Sequence, residues 1–195
     1  VGGVGYIGIG EYSSKDVRAY CLWLSMLKRS YSEDFKTRFP SYKNVTVCED
    51  WLDFQNFAKW CYSQPFLNAK DNKGHSYHLD KDILSKGDKI YSPETCCFVP
   101  REINNLYMEY TKNYGKVTTR VSVSNNGDKF KARIMILGKN VNLGQYDTME
   151  EAVNSYNTAK KEYMSDLIQK WSGKVDEKVT KELVNTLLSF ELCYD

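Results

Sequence analysis

The chain has 195 residues, of which 42% are hydrophobic and 14% aromatic, so it is long enough and apolar enough to bury the core of one ordinary domain or two small ones. Its formal net charge is only +2, and no apolar run approaches the roughly 20 residues that span a bilayer. The glycine-rich start also lacks the charged and apolar segments of a signal peptide. These features exclude a membrane-spanning chain and predict an internal, soluble protein.

The six cysteines are spread along the chain without CxxC spacing. The only close pair, Cys96 and Cys97, is vicinal, which suits neither a normal disulfide nor a tetrahedral zinc site. We therefore predict reduced thiols, as is usual in cytoplasmic proteins.

The N-terminal part of the chain has a helical pattern. Residues 14–29 repeat apolar side chains at helical spacing, and Ser13 with Asp16 predicts a capping box for that helix. A short strand around Val45 follows, and Asp50 is predicted to begin a second helix whose aromatic residues face a core.

After a polar loop, residues 77–100 have the pattern strand, turn, strand, and Pro100 is predicted to begin a helix. Asp80 and Asp82 are separated by one residue, so both are expected on one face of the first strand, while Asn104 lies on the following helix. Carboxylate and carbonyl oxygens are ligands that Mg²⁺ prefers, and a metal-dependent phosphodiesterase needs such oxygens together with a group that activates water. Taken alone, two acidic residues on a strand are more often part of a solvated surface than of a metal site.

The run LDKDILSKGDKIYSPETCCFVPREINN, residues 79–105, resembles the HNH nuclease motif of phage-encoded proteins. Residues 20–31 and 42–60 are similar to the segments that precede the motif in those proteins. The resemblance implies that Asp80 and Asn104 bind a metal ion such as Mg²⁺, and that Asp80, Lys81 and Asn104 occupy catalytic positions.

Two positions depart from the pattern of that family. Lys81 stands where the general-base histidine usually lies, and a protonated lysine cannot accept a proton from water. Thr95 occupies the place where many members have the central asparagine. Two readings of this motif therefore remain open: a nuclease that uses Mg²⁺, or a protein of nuclease descent in which cleavage is weakened or lost and no metal is needed.

Residues 113–146 are set apart by their charge. They contain six cations and one anion, a net +5, so the rest of the chain sums to −3. The run NYGK at 113–116 is the predicted boundary between two domains, 1–112 and 113–195. Electrostatic attraction to phosphates is the usual use of such a basic segment.

The basic segment predicts three strands, at 118–124, 129–136 and 140–143, joined by tight turns. Thr148 and Glu151 predict a capping box for a long helix that ends near Trp171, and a last helix is expected at about 176–190.

The second of these strands alternates cations with apolar residues, so the cations are predicted on one face and the apolar residues on the face that packs against the helix. Arg120 and Arg133 are the candidates for base contact, because a guanidinium can bind guanine through two hydrogen bonds, whereas the lysines are expected on phosphates. The predicted DNA-binding residues are Arg120, Lys129, Lys131, Arg133, Lys139, Asn140 and Asn142.

Residues 117–163 resemble an Apetala2-type DNA-binding domain. Such domains resemble the modules that phage homing nucleases append to an HNH core, and the resemblance implies a three-stranded sheet that enters the major groove of double-stranded DNA. The matching residues are Lys129-Phe130-Lys131-Ala132-Arg133-Ile134, Gly138-Lys139, Leu143-Gly144-Gln145-Tyr146, Thr148, Glu150-Glu151-Ala152, Tyr156 and Ala159.

We therefore expect an α+β fold with a helical N-terminal region, an HNH-like ββα unit, a three-stranded antiparallel sheet packed on a helix, and a final helix. The expected function is sequence-specific binding of double-stranded DNA by a protein of phage homing-endonuclease descent, in the cytoplasm of a bacterial host, acting by repressor-like occupancy of its site. Two alternatives remain open: an active metal-dependent HNH homing endonuclease, and a protein-interaction module that keeps the scaffold.

Overall fold

The computed structural model of the chain describes residues 3–85, 87–113, 121–123, 129–136 and 139–192. Over these residues the fold is mixed α and β, which confirms the predicted α+β class. The chain divides into a first unit, Val1–Arg101, and a second unit, Glu102–Asp195. None of the helices in the described ranges combines the length and the apolar character that a membrane crossing requires.

The described residues of the first unit form three α-helices, two short 3₁₀ helices and two small sheets. Strands β1 and β3 pair in parallel, whereas β2 and β4 pair antiparallel and place Asp80 opposite Cys97. The elements are α1 (Val17–Tyr31), α2 (Glu33–Arg38), β1 (Thr46–Val47), α3 (Phe54–Ser63), β2 (His78–Asp80), β3 (Ile90–Tyr91) and β4 (Cys97–Val99).

Both predicted helix starts in this unit differ from the structure. Helix α1 begins at Val17, because Ser13 and Asp16 close a turn of their own: the Ser13 N–H donates to Asp16 Oδ2 over 2.7 Å, and the Asp16 N–H donates to the Ser13 carbonyl over 3.0 Å. Helix α3 is capped by Asp53, whose Oδ1 accepts from the Gln55 N–H at 2.9 Å. A short 3₁₀ turn, Glu49–Leu52, comes before it.

The aromatic residues of α1 and α3 form the core of the first unit, as predicted. Trp23, Trp51, Phe54 and Phe57 are all buried. The indole N–H of Trp23 donates to the Trp51 carbonyl over 2.7 Å, so the largest buried side chain also satisfies its polar atom.

The glycine-rich segment at the start of the chain crosses the N-terminus of α3 at close range. Tyr6 pairs with Asp53 through backbone hydrogen bonds to the neighbouring residues. A Cβ atom at Gly8 would lie 2.5 Å from both carboxylate oxygens of Asp53. Glycine at this position is therefore required by a contact between residues far apart in sequence.

Within the part of the second unit that the structure describes, there are three helices and a three-stranded antiparallel sheet of order β5-β6-β7. Helix α5 packs on β6 through the buried side chains of Ala132 and Ile134. The predicted capping box of Thr148 and Glu151 is present at the start of α5. The elements are α4 (Arg101–Asn113), β5 (Val121–Val123), β6 (Phe130–Ile136), β7 (Lys139–Tyr146), α5 (Met149–Trp171) and α6 (Glu177–Leu192).

Helix α4 lies with the second unit apart from its first residue, because the division of the chain falls after Arg101. The domain boundary at residues 113–116 stays a prediction. Glu102 accepts hydrogen bonds from Lys170 Nζ at 2.5 Å and from the Trp171 indole N–H at 3.0 Å. Tyr107 shares a 2.9 Å hydrogen bond with the Thr186 hydroxyl. These contacts tie α4 to α5 and α6.

Candidate functional site

Asp80 is the last residue of β2, and the chain turns immediately after it. Its Oδ1 accepts from the backbone N–H groups of Asp82 and Ile83, each at 2.9 Å. The predicted strand over residues 77–83 therefore ends early, and Asp82 does not share a strand face with Asp80. The turn forms because the carboxylate satisfies two N–H groups that a longer strand would have left to a partner.

The Asp80 carboxyl is only 6% exposed. The pKa of this carboxyl is raised to about 6, chiefly by burial and then by the charge of Asp82, against the opposite action of the Ile83 and Asp82 N–H donors and the Lys81 charge. Ionisation of the Asp80 carboxyl therefore costs free energy in the folded chain, because the charged form is buried.

Lys81 is also 6% exposed, which is unusual for a lysine. Its ammonium forms an ion pair with Asp82 Oδ1 and lies 5.8 Å from the centre of the buried Tyr91 ring. The Arg29 guanidinium lies 5.8 Å from the centre of the same ring. Two cations therefore lie near one aromatic ring, beside the turn at Asp80–Asp82, which we call the acidic turn.

Thr95 supports the turn between β3 and β4. Its hydroxyl donates to the Ile90 carbonyl at 2.7 Å and accepts from the Ser92 N–H at 3.0 Å. The side chain at the position that resembles the central asparagine of HNH nucleases is thus committed to local backbone. Its neighbours Cys96 and Cys97 are buried, and all five cysteines in the described ranges are free thiols.

Both histidines precede the turn at Asp80 in the chain. His75 is exposed and contacts Asp71 at 3.2 Å in the loop before β2, where a surface position is expected. His78 begins β2 opposite Val99. Burial, followed by the charges of Arg101 and Arg18, lowers the pKa of His78.

The residues around Asp80 do not fit a divalent cation. One oxygen of Asp80 already accepts two N–H groups, and one oxygen of Asp82 is bound by the Lys81 ammonium. Over the ranges that the structure describes, no three His, Cys, Asp or Glu side chains are grouped as a metal site would require. Asn104 lies half-buried in the first turn of α4, which belongs to the second unit, and its pairing with Asp80 stays a prediction.

The second candidate site is the face of the sheet directed away from α5. Strand register places Arg133 opposite Asn142, Met135 opposite Asn140, and Lys131 opposite Gln145. Residues directly opposite in an antiparallel pair share one face. We define the outer face of the sheet by the residues Lys131, Arg133, Met135, Asn140, Asn142 and Gln145.

The outer face is polar and accessible, whereas its reverse is apolar. Arg133, Asn140, Asn142 and Gln145 are exposed, and Lys131 is partly exposed. On the reverse, Tyr146 donates its hydroxyl to Ser155 of α5 at 2.6 Å. Neither Lys131 nor Arg133 forms an ion pair with any described residue, so both charges are available to a partner.

A β-bulge makes this alignment possible. Ala132 pairs with Gly144 and Arg133 with Asn142, so Leu143 is an extra residue on β7. Gly144 has a φ of +137°, and a Cβ there would lie 3.0 Å from the Tyr146 hydroxyl oxygen. The bulge places Gln145 on the same face as Asn142, and this is why sequence reasoning missed Gln145. The Leu-Gly pair in β7 was the available signal.

The remaining predicted DNA-binding residues are placed differently. Lys129 precedes β6 and forms an exposed ion pair with Asp147. Lys139 pairs with Ile136, so the register assigns it to the face that carries Ile134 and not to the outer face. Arg120 lies outside the described residues.

A groove lies between α5 and the strands, on the side of the sheet that faces α5. Its floor is apolar and includes Ile134 and Val141, and charged residues of both signs line it, among them Asp166 and Lys170 of α5. The cations Lys131 and Arg133 lie on the opposite side. The two cations of the outer face would attract an anionic partner.

No family model, curated protein or solved structure matches this chain in comparisons with known proteins.

Proposed function

We propose that this chain binds double-stranded DNA sequence-specifically through the outer face of its β-sheet, and that it acts in a bacterial cell by occupying its site. The observation that carries the proposal is the alignment, on one exposed face, of three amide side chains with two cations that form no ion pair with a described residue. Such a surface combines the groups that bind phosphates with those that bind base edges.

The outer face has the chemistry that the major groove requires. The groove admits a β-ribbon, an arginine can donate two hydrogen bonds to guanine, and an asparagine or glutamine can bind adenine through two. Arg133 and Asn142 are direct neighbours across β6 and β7, so together they would contact adjacent base pairs. Lys131 lies one row away and would neutralise a phosphate.

The contacts of the Asp80–Asp82 turn favour a protein that binds its DNA site without cleaving it. A hydrolytic site needs a group that accepts a proton from water. At the position that resembles the general base, this chain has the Lys81 ammonium, which is already paired with Asp82. The ββα segment with Asp80 and Asn104 would then be a scaffold of HNH descent. The alternative, a metal-dependent endonuclease, predicts cleavage of plasmid DNA that carries the target site.

The test begins with selection of duplexes from a random library by the full chain, followed by anisotropy titrations on the selected and on random DNA. Arg133→Ala is expected to weaken binding to the selected duplex by roughly five- to 150-fold, which corresponds to the loss of one guanine contact, and to relax preference at one base position. Lys131→Ala should weaken binding to both duplexes to a similar degree, because a phosphate contact carries no sequence information.

The matched control is Lys178→Ala, because Lys178 is an exposed cation of α6 in the same unit. It should leave discrimination unchanged. The slope of log K against log salt is expected to be no steeper than about −5 for the six cations of the basic segment. Affinity that does not depend on salt, or unchanged discrimination in Arg133→Ala, would contradict the proposal and favour a protein-interaction module. Cleavage of the selected DNA with Mg²⁺, Mn²⁺ or Ni²⁺ would favour the endonuclease.

A further inference from the structure

We propose that the Lys81 ammonium is a built-in counter-cation for the Asp80–Asp82 turn, and that it keeps a divalent metal ion from binding there. The inference concerns the first unit alone and does not depend on DNA binding by the sheet. It starts from the mismatch between a metal site implied by resemblance and the contacts that these side chains make.

The position of the ammonium is the first step. A lysine normally extends its charged end into water, because burial of an unpaired charge is costly. Lys81 instead buries nearly its whole side chain and directs its ammonium to Asp82 Oδ1, beside the Tyr91 ring. The Asp82 carboxylate and the Tyr91 ring therefore stabilise the buried ammonium.

The charge balance of the turn is the second step. Two carboxylates flank one ammonium in three consecutive residues, and the Arg29 guanidinium faces the same tyrosine ring. A divalent ion at these carboxylates would be repelled by the Lys81 ammonium, and the Arg29 guanidinium, whose charge also interacts with Asp80, would add to this repulsion. The positive charge of Lys81 therefore has two effects: it reduces the repulsion between the two carboxylates, and it lowers the affinity of the turn for a metal ion.

The oxygen atoms available for coordination are the third step. Asp80 Oδ1 accepts two backbone N–H groups, and Asp82 Oδ1 is bound by the ammonium. Loss of the ammonium frees the Asp82 oxygen. The two carboxylates, two residues apart in sequence, then repel each other without a compensating charge. A hard cation that keeps several of its waters can then bind through one or two carboxylates.

The experiment measures binding of Mn²⁺ to the full chain, by the loss of the electron paramagnetic resonance signal of free Mn²⁺ and by calorimetry. Lys81→Met keeps the length of the side chain and removes its charge. It should bind Mn²⁺ at least about tenfold more tightly than the wild type, and Mn²⁺ should raise its melting temperature but not that of the wild type. Adding Asp82→Asn to Lys81→Met should abolish the gain.

Lys89→Met is the matched control, because Lys89 is an exposed lysine in the same segment and its loss changes the net charge equally. It should bind Mn²⁺ as the wild type does. A folded Lys81→Met variant without increased affinity would overturn the proposal. Saturable binding of Mn²⁺ to the wild type that Asp82→Asn removes would also overturn it, and this measurement applies even if Lys81→Met fails to fold. Neither result would bear on DNA binding by the outer face.

Discussion

Asp80 should make the stability of the first unit depend on pH, and Asp80→Asn should remove that dependence. The pKa of this carboxyl rises from 3.8 to about 6 in the folded chain, chiefly through burial. Between these values the native carboxyl holds a proton that the unfolded chain has lost. The free energy of unfolding contributed by Asp80 therefore falls as pH rises through this window and stays low above it.

The magnitude follows from the two pKa values. Their difference corresponds to about 3 kcal/mol that ionisation of Asp80 costs the folded state. Asparagine keeps an oxygen that accepts from the Asp82 and Ile83 N–H groups and carries no charge. The difference in unfolding free energy between Asp80→Asn and the wild type should therefore shift in favour of the variant by roughly 2.5 kcal/mol between pH 4 and pH 8. Any cost of the added amide N–H is the same at both pH values and does not change this shift.

Urea unfolding followed by tryptophan fluorescence measures this effect. Three of the four tryptophans lie in the first unit and Trp171 lies in the second, so a Trp171→Phe background reports on the first unit alone. Asp88→Asn is the control, because Asp88 is exposed in the same segment and its loss should give no such trend. A difference between Asp80→Asn and its parent that is equal at both ends of the pH range would refute the reasoning.

Two further variants test the second unit. Asp147→Asn releases Lys129 from an exposed ion pair, so unfolding should change by less than about 1 kcal/mol while affinity for random duplex DNA rises and the salt slope steepens by about one; an unchanged slope would argue that Lys129 does not approach DNA. Thr148→Ala removes the cap of α5 that accepts from the Glu151 N–H at 3.2 Å and should cost about 1 kcal/mol in urea unfolding. Thr158→Ala, an exposed change inside the same helix, should cost nothing, and equal losses would contradict the capping argument.

Local chemistry made several features of the second unit predictable. The capping box of Thr148 and Glu151 joins residues three apart, so the start of α5 could be inferred from their identity alone. The alternation along β6 likewise depends only on the period of a strand, which is why Ala132 and Ile134 were expected inside and Arg133 outside. The α+β class followed from such patterns.

Local patterns failed where a side chain had a competing partner close by. Ser13 and Asp16 contain the residues of a capping box, yet they bond to each other in a turn that ends before Val17. Asp82 has the spacing of a strand residue that shares a face with Asp80, but its own N–H donates to the Asp80 carboxylate. In both places a hydrogen bond over two or three residues replaces the regular element that the pattern predicts.

The composition of the outer face was decided only by the tertiary structure. Which residue of β7 lies opposite Arg133 depends on the bulge at Leu143, because one extra residue shifts every later side chain to the other face. That shift brings in Gln145, and the pairing at the other end of the strand leaves Lys139 out. The burial of Lys81 has the same origin, since its aromatic neighbour Tyr91 comes from another strand. Sequence determined which residues carry charge and which are apolar, whereas contacts between distant segments determined which of those charges can meet a partner.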